Sequence, residues 1–362
     1  MPRILTHDDP GRGCQKEISN LKPGMDFRKP EYRREVFLRF YEFTIKHKSS
    51  PGCVYFMLPA LMEKLNFTIE QSLWLAYLEG CSQHIVTSWL IFEEFPDLKK
   101  VDLQKLDKWW RKHYLKFGWS VDRRYIKNSF PDCVANYKNL ISKFGTQKEF
   151  FNGLVNRYTP TQGFSRVWDK IMKDFWLFGR LATFCYTEYL SIVGLSIDCN
   201  SLFLEDKQGS ISHRNGLCKV LGRDDLDWHK TNPDFEGKYS PEVLAWLIEE
   251  GEVLLEEACQ RINCKDANYF TLESALCNYK FWYRPNKRYP NFYVDSLHDR
   301  IKSAEEAWDD EKDFSLFWEI RQNCLPKYLL LEHTPNDPGI CKKKQNHFRE
   351  TGEIVMMDKF DK

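Results

Sequence analysis

The 362-residue sequence lacks the cysteine patterns of small metal and redox sites. Its 12 cysteines are scattered singly and never form a C-x-x-C pair, which argues against a zinc knuckle and a thioredoxin-type motif. No signal-peptide layout opens the chain, and no stretch approaches the ~18 uncharged apolar residues that a membrane span needs. We therefore predict a cytoplasmic protein with free thiols and no membrane partner.

The common nucleotide-binding and hydrolase motifs are also missing. Gly237-Lys238 has Asn232 where a P-loop needs its first glycine, which argues against a P-loop kinase. The sequence contains no G-x-G-x-x-G after a strand, no H-E-x-x-H and no G-x-S-x-G. The familiar dinucleotide-binding, zinc-protease and α/β-hydrolase folds therefore have little support.

The charge balance of the whole chain says nothing about a partner, because 53 Lys and Arg face 52 Asp and Glu. The segment from Lys99 to Lys127, however, holds ten Lys or Arg residues against three Asp. It also contains four large aromatic residues, Trp109, Trp110, Tyr114 and Trp119. Cations beside aromatic rings are typical of nucleic-acid surfaces. We predict that this segment lines or flanks a nucleic-acid path, with Arg123 and Arg124 at the phosphates; a solvated basic face is the alternative.

Apolar residues recur at helical spacing along almost the whole chain, which predicts an all-α, multi-helical globular protein. Thr68 with Gln71 predicts a capping box that opens one long helix reaching about Glu94. Asp102 is a second N-cap candidate. Ser240-Pro241-Glu242 predicts the start of a helix that extends to about Ile262.

The domain organisation follows from the same pattern. We predict an N-terminal extension over residues 1–30, a helical catalytic domain over 31–335 and a basic C-terminal tail over 336–362. Glycine and proline residues near 146–163 indicate a joint between two lobes of the catalytic domain. No linker is long or polar enough to require two independent domains.

The most informative stretch runs from Leu204 to His229 and mixes both signs of charge with glycine. Its charged residues and histidines include Glu205, Asp206, His213, Arg214, Lys219, Arg223, Asp224, Asp225, Asp227 and His229. A packed core rarely holds such a series, because an unpaired buried charge is costly. Its three glycines allow a close backbone approach to a ligand. We predict a loop bent around a charged ligand; an ion-paired surface loop is the alternative.

A second cluster, Glu79–His84, interrupts an otherwise apolar helix. Glu79, Gln83 and His84 fall close together on a helical face if the helix continues through them. Buried polar groups need partners, so these side chains predict either a ligand site or an internal hydrogen-bond network that fixes helix packing. The sequence does not decide between the two.

A third cluster follows residue 270, where Glu273 and Lys280 stand at helical spacing. The chain then enters the segment RPNKRYPNFY, which contains Arg284 and Arg288. Arginine, asparagine and tyrosine in a proline-rich loop suit phosphate contacts and base stacking. A charged turn between helices is the alternative. His298-Asp299-Arg300, which comes next, is interpreted as a solvated helix face.

Several stretches together resemble the amino acid:DNA transferases of bacteriophages, formerly called α-glutamyl/putrescinyl thymine pyrophosphorylases. The resemblance covers roughly residues 31–349 and rests on WLAYLEGCSQHIVTSWLIFEEFP, GRLATFCYTEYL, CNSLFLEDKQGSISHRNGLCKVLGRDDLDWH, YFTLESALCNYKFWYRPNKRYPN and LLLEHTPNDPG. Its most specific part is SHRNGLCKVLGRDDLDWH. It implies an all-α enzyme with a distant link to helical DNA glycosylases.

The resemblance implies a reaction on double-stranded phage DNA in the host cytoplasm. A separate DNA kinase would first pyrophosphorylate 5-hydroxymethyluracil, and this enzyme would then displace pyrophosphate from 5-(pyrophosphooxymethyl)uracil with a free amino acid. The product would be a hypermodified thymine. Such a reaction needs cations at the leaving group, a base for the amine and an extruded nucleotide.

The resemblance also suggests roles for the residues. The predicted pyrophosphate and DNA contacts are Arg214, Lys219, Arg223, Lys280, Arg284, Arg288, Arg123 and Arg124. The predicted catalytic carboxylates and bases are Asp224, Asp225, His213, Glu79 and Glu273, with Asp224 or Asp225 favoured as base or carbocation stabiliser. No metal-ligand set is predicted, although Mg²⁺ bridging Asp225 or Asp227 to pyrophosphate fits the chemistry.

Two functions of other classes stay open at this stage. One is a non-catalytic helical DNA-binding module that escorts a modification enzyme. The other is a glycosylase-like enzyme that excises the base. The transferred amino acid, its attacking atom, the metal requirement and the oligomeric state cannot be read from the residues.

Overall fold

The computed structural model describes residues 29–46, 48, 52–205, 211–226, 239–262, 266–283 and 296–325. In these ranges the regular structure is entirely helical, which confirms the all-α prediction for this part of the chain. The α-helices, numbered in chain order, are α1 (Pro30–Lys46), α2 (Val54–Lys64), α3 (Ile69–Ser82), α4 (Ile85–Glu94), α5 (Leu103–His113), α6 (Arg124–Asn128), α7 (Phe130–Ser142), α8 (Gln147–Val155), α9 (Pro160–Asp174), α10 (Arg180–Ile192), α11 (Ile211–Val220), α12 (Pro241–Ile262), α13 (Tyr269–Tyr279), α14 (Ser296–Trp308) and α15 (Ser315–Cys324). Short 3-10 turns include Tyr114–Lys116, Val121–Arg123, Asp224–Leu226 and Lys280–Tyr283.

Helix starts follow the local capping signals. The Thr68 hydroxyl accepts a hydrogen bond from the backbone N–H of Gln71, and the Gln71 side chain completes the predicted capping box of α3. The Asp102 carboxylate caps α5 by accepting hydrogen bonds from the backbone N–H groups of Gln104 and Lys105. The helix predicted from Pro241 to Ile262 is observed as α12.

The prediction of one long helix from Thr68 to Glu94 is wrong, because the chain forms α3 and α4 with a break between them. Gln83 takes a left-handed conformation with φ of 49°. His84 then caps α4, its Nδ1 accepting from the Thr87 N–H at 3.3 Å. The Ser82 hydroxyl accepts from the His84 N–H at 2.9 Å. Polar side chains that bond to nearby backbone end the helix here.

The described residues form two compact units. The first unit contains α1 and α11–α13, and the second contains α2–α10 with α14 and α15. The segment 146–163, predicted as a joint between lobes, lies within the second unit, where it carries α8 and the start of α9. The basic tail 336–362 and all but the end of the extension 1–30 lie outside the described residues.

The second unit is built around stacked aromatic rings, which accounts for much of the aromatic content. The rings of Tyr77 and Tyr137 stack with centroids 3.8 Å apart, and the Trp74 ring lies parallel to both. Their polar atoms have partners: the Tyr77 hydroxyl donates to Cys133 O at 2.8 Å and the Trp74 indole N–H to Phe95 O at 2.7 Å. Tyr77 and Trp74 can therefore fill this core with their polar atoms paired.

The first unit packs α11 directly against α13. Gly216 of α11 faces the Leu276 carbonyl of α13 so closely that an added Cβ would lie 2.1 Å from the carbonyl oxygen. Helix α1 contacts α11, α12 and α13, and buries Val36 and Phe37 against them. The glycine predicted to bend a loop around a ligand thus serves helix packing, and it fixes the distance between the helices that carry His213 and Glu273.

We expect Gly216→Ala to destabilise the protein by about 1–3 kcal/mol or more, because the new methyl group must push α11 and α13 apart. Gly153→Ala is the matched control. Gly153 also lies in a helix, but an added Cβ there meets nothing within 4 Å. That change should stabilise the protein by about 1 kcal/mol through helix propensity alone. Urea unfolding of both variants measures the contrast, and equal effects would contradict the close packing.

Candidate active site

Two stretches that the sequence singled out meet in the first unit. His213 of α11 and Glu273 of α13 are buried, and His213 Nδ1 lies 2.9 Å from Glu273 Oε1. The other ring nitrogen, Nε2, lies 2.7 Å from the Leu202 carbonyl oxygen. A carbonyl oxygen only accepts, so Nε2 carries a hydrogen. Nδ1 is therefore the ring nitrogen that faces the Glu273 carboxyl group.

Two buried cations belong to the same stretches of chain as this pair. Arg214 follows His213 on α11, donates to the Leu204 carbonyl at 3.2 Å and lies over the Tyr239 ring at 4.7 Å. Lys280, one residue beyond the end of α13, contacts the Ser212 hydroxyl. Both predicted anion-binding residues are therefore held by the same two helices that carry the His213–Glu273 pair.

Asp224 lies in a network that links three segments of the first unit. Arg33 of α1 donates to both of its carboxylate oxygens, at 2.8 and 3.0 Å. Lys219 donates to the same carboxylate at 2.7 Å. Partial burial raises the pKa of Asp224, but the hydrogen bonds from Arg33 and Lys219 outweigh it and hold this pKa below its usual range. A carboxylate held this way is a weak base.

Asp225, the other favoured base, lies on the surface. Arg223 grips it with two hydrogen bonds of 2.8 and 2.7 Å, and the Arg223 guanidinium lies over the Trp246 ring. The hydrogen bond from Arg223 lowers the pKa of Asp225. Arg223 and Asp225 therefore neutralise each other, and neither is positioned beside His213 by any observed contact.

The stretch from Ser212 to Val220 is helical, whereas the sequence predicted a loop through this region. The reason is that Arg214 and His213 find carbonyl and carboxylate partners in the interior, so their burial is compensated. Asp206, Asp227, His229, Arg284 and Arg288 lie outside the described residues. Their predicted roles stay predictions.

Glu79 forms a separate site in the second unit. Its carboxylate is buried and accepts from the Ser88 hydroxyl at 2.7 Å and from the Ser82 hydroxyl at 3.5 Å. Burial raises the pKa of Glu79 to about 7, although the positive charge of Arg300 and the serine hydroxyls favour the ionised form. Both alternatives stated for this cluster remain, since a hydrogen-bond network is present and the carboxyl group titrates near neutrality.

The interpretation of His298-Asp299-Arg300 as a solvated face fits exposed Asp299, whereas Arg300 is half-buried and its positive charge acts on buried Glu79 and His84. Burial and Arg300 together lower the pKa of His84 to about 3, so the ring stays neutral. The signal in the sequence was the spacing: Arg300 follows Leu297 by three residues and precedes Ala304 by four, and both are buried.

Arg123 is part of the interior and not of the exposed basic surface that the sequence predicted. Its guanidinium donates to the carbonyls of Gly80, at 3.4 Å, and Leu181, at 2.9 Å, and the side chain is fully buried. Two helix carbonyls thus replace the predicted phosphate partners. Arg124 is exposed, as predicted for a residue that contacts phosphate.

In the rest of the basic segment, most cationic side chains are exposed and most aromatic side chains pack inward. Its exposed cations are Lys99, Lys100, Lys105, Lys108, Arg111, Lys112 and Arg124. Its aromatic residues mostly pack inward; Trp110 is buried and stacks on Phe117 with centroids 4.8 Å apart. The rings predicted as a stacking platform therefore serve mainly as core.

In the described ranges, no three His, Cys, Asp or Glu side chains are grouped so as to hold a metal ion. Within the same part of the chain, no helix combines the length and apolar character needed to cross a bilayer.

Comparison with known proteins agrees with the resemblance seen in the sequence. The sequence model of the amino acid:DNA transferase family matches residues 57–288, which include Glu79, His213 and Glu273. A serinyltransferase of Salmonella phage ViI is 28% identical over 353 residues, covering 91% of this chain and 83% of the relative. No solved structure matches. The DNA-binding-module and glycosylase alternatives are not favoured by these matches. The chain belongs to the amino acid:DNA transferase family and is an enzyme that transfers an amino acid onto DNA.

Proposed function

We propose that the enzyme joins an amino acid to the 5-methylene carbon of 5-(pyrophosphooxymethyl)uracil in DNA. A bond forms from the amino-acid nitrogen or hydroxyl oxygen to that carbon, the bond from carbon to the pyrophosphate oxygen breaks, and the attacking atom loses a proton. The observation that carries the proposal is the buried His213–Glu273 pair, whose Nδ1 and Oε1 atoms lie 2.9 Å apart.

The pair supplies what the attacking group needs. An ammonium group has no lone pair, so the amino acid must lose a proton before or during attack. His213 and Glu273 place an imidazole nitrogen and a carboxyl oxygen 2.9 Å apart, and Leu202 fixes the ring orientation through Nε2. We assign the pair as the base in preference to Asp224 and Asp225, because the latter two are each committed to cationic partners.

Positively charged side chains are needed to stabilise the negative charge that develops on the leaving group. Loss of pyrophosphate concentrates negative charge on oxygen, and prepositioned donors stabilise such charge most effectively. Arg214 and Lys280 are buried cations of the two helices that carry the pair. We assign them to pyrophosphate, with Lys219, Arg223, Arg284 and Arg288 as further predicted contacts.

The substrates follow from the same reaction. The DNA would carry 5-hydroxymethyluracil activated by a DNA kinase, so the reaction would take place with the phage DNA in the host cytoplasm. The name of the Salmonella phage relative makes serine the first amino acid to test.

Mass spectrometry of nucleosides tests the proposal directly. Duplex DNA with 5-(pyrophosphooxymethyl)uracil is incubated with the enzyme and serine, then with a mixture of amino acids, and digested. A nucleoside whose mass equals 5-hydroxymethyl-2′-deoxyuridine plus one amino-acid residue, with release of pyrophosphate, supports the proposal. Free base would instead indicate a glycosylase, and unchanged nucleoside with retained DNA binding would indicate a non-catalytic module.

We expect Asp225→Asn to leave turnover close to wild type and folding stability within about 0.5 kcal/mol, because an exposed ion pair contributes little. Asp224→Asn should cost about 1–3 kcal/mol of stability, since buried Arg33 loses its carboxylate partner. Urea unfolding and the nucleoside assay measure both effects. Loss of turnover in a stably folded Asp225→Asn variant would indicate that Asp225 is the catalytic base, as the sequence predicted.

A further inference from the structure

The segment Tyr114–Asn128, called here the wedge segment, exposes three large hydrophobic side chains, Leu115, Val121 and Tyr125. Leu115 is 92% exposed and Val121 is 72% exposed, more than any other large apolar side chain of the described residues. Single exposed apolar residues are ordinary on protein surfaces. Leu115 and Val121, however, are both highly exposed and lie within seven residues of each other in an enzyme that acts on DNA, which indicates a binding surface.

The wedge segment is held rigidly on its inner side. The Tyr114 hydroxyl donates to Asn128 Oδ1 at 2.6 Å, and the Lys127 ammonium donates to the Phe117 carbonyl at 2.8 Å. The Gly118 carbonyl accepts from the Thr87 hydroxyl at 2.6 Å. These bonds fix the backbone on both sides of Leu115 and Val121, so an exposed side chain there loses little freedom on binding.

The immediate surroundings carry the charge that DNA attracts. Arg111 and Lys112, on the last turn of α5, are exposed, and so is Arg124 at the start of α6. Arg111 is paired with Asp107 at the surface, while the adjoining Lys116 is paired with Glu311. Cations at both ends of a bare leucine complement phosphates on either side of a base step.

We propose that Leu115, supported by Val121, is a wedge that enters the base stack of duplex DNA and holds the target nucleotide out of it. Apolar side chains that enter a base step unstack it. Enzymes that do chemistry on a base of a duplex commonly extrude that base into an active-site pocket. The proposal rests on amino acid transfer to DNA and is independent of the leaving group and of the His213–Glu273 pair.

The test uses the full chain and a duplex with 2-aminopurine beside one 5-hydroxymethyluracil. Wild-type protein should raise 2-aminopurine fluorescence on binding, since the base loses its stacking neighbour. Leu115→Ala should bind the duplex but lose most of this rise. Leu115→Lys should bind at least as tightly and also lose it, which separates wedge action from electrostatic attraction. Leu65→Ala, at a 39% exposed leucine of the same unit, is the matched control and should behave like wild type.

Turnover supplies the second readout. Leu115→Ala should lower transfer on duplex DNA by about 10- to 100-fold, the cost of unassisted unstacking. On single-stranded DNA or at a mismatch the loss should be only about twofold, because that base is already unstacked. Unchanged fluorescence and turnover on duplex DNA, or an equal loss on single strands, would overturn the wedge. The fluorescence readout needs no chemistry, so it stands even if pyrophosphate is not the leaving group.

Discussion

Replacing Glu273 with glutamine is expected to lower kcat/KM for amino acid transfer by about 10²- to 10⁴-fold, the usual contribution of a positioned base. The glutamine side chain has nearly the same shape and can donate its amide N–H to His213 Nδ1, so α11 and α13 keep their contact. It cannot accept a proton from the amino acid. The fold should therefore survive while the proton transfer is lost.

Steady-state transfer, with thermal unfolding alongside, measures this effect. His213→Asn should be similarly inactive, and the double variant should be little worse than either single one, because residues that act as a unit are not additive. Glu188→Gln is the matched control, a buried glutamate that accepts from the Tyr55 hydroxyl at 2.8 Å and lies in the other unit. Near-normal turnover of a folded Glu273→Gln variant would mean that the His213–Glu273 pair has only a structural role, in holding α11 against α13.

A second large effect is expected in the pH dependence of stability. The pKa of Glu79 rises from 4.5 to about 7 on folding because the carboxyl group is buried. Between these pH values the folded state binds more protons than the unfolded state, so stability falls as pH rises. Glu79 should thus cost about 3 kcal/mol of folding free energy once the pH exceeds 7. Glu79→Gln stays neutral and should lack this decline.

Urea unfolding of wild type and Glu79→Gln at pH 5, 6, 7 and 8 measures the difference. From pH 5 to pH 8, the free energy of unfolding of the variant should rise by about 3 kcal/mol relative to that of wild type. The titration of His84 largely cancels in this difference, because both proteins contain His84. Arg300→Gln is expected to shift the decline to higher pH, since its charge favours ionised Glu79. A constant difference between wild type and Glu79→Gln at all four pH values would show that Glu79 is ionised throughout.

The sequence by itself determined the features that depend on neighbours a few residues away. Thr68 and Asp102 cap their helices through N–H groups two or three positions on, so their roles could be predicted without the fold. The recurrence of apolar residues predicted the all-α class for the same reason. The break at Gln83 was also local, but the apolar run around it masked the polar side chains that end the helix.

The candidate site was predicted in its members but not in its arrangement. His213 and Glu273 were both named from sequence, yet only the packing of α11 on α13 through Gly216 brings their side chains within 2.9 Å. Asp224 was favoured as a base because its partner Arg33, 191 residues away, could not be seen. A carboxylate's basicity depends on such partners.

Tertiary structure also decided which cations face solvent. Arg123 and Arg124 are adjacent and of one type, yet Arg123 is buried against helix carbonyls while Arg124 is exposed. Composition showed the excess of positive charge but not its direction. Local capping and periodicity are written into a few consecutive residues, whereas the burial, pairing and basicity of a charged side chain depend on groups contributed by distant parts of the chain.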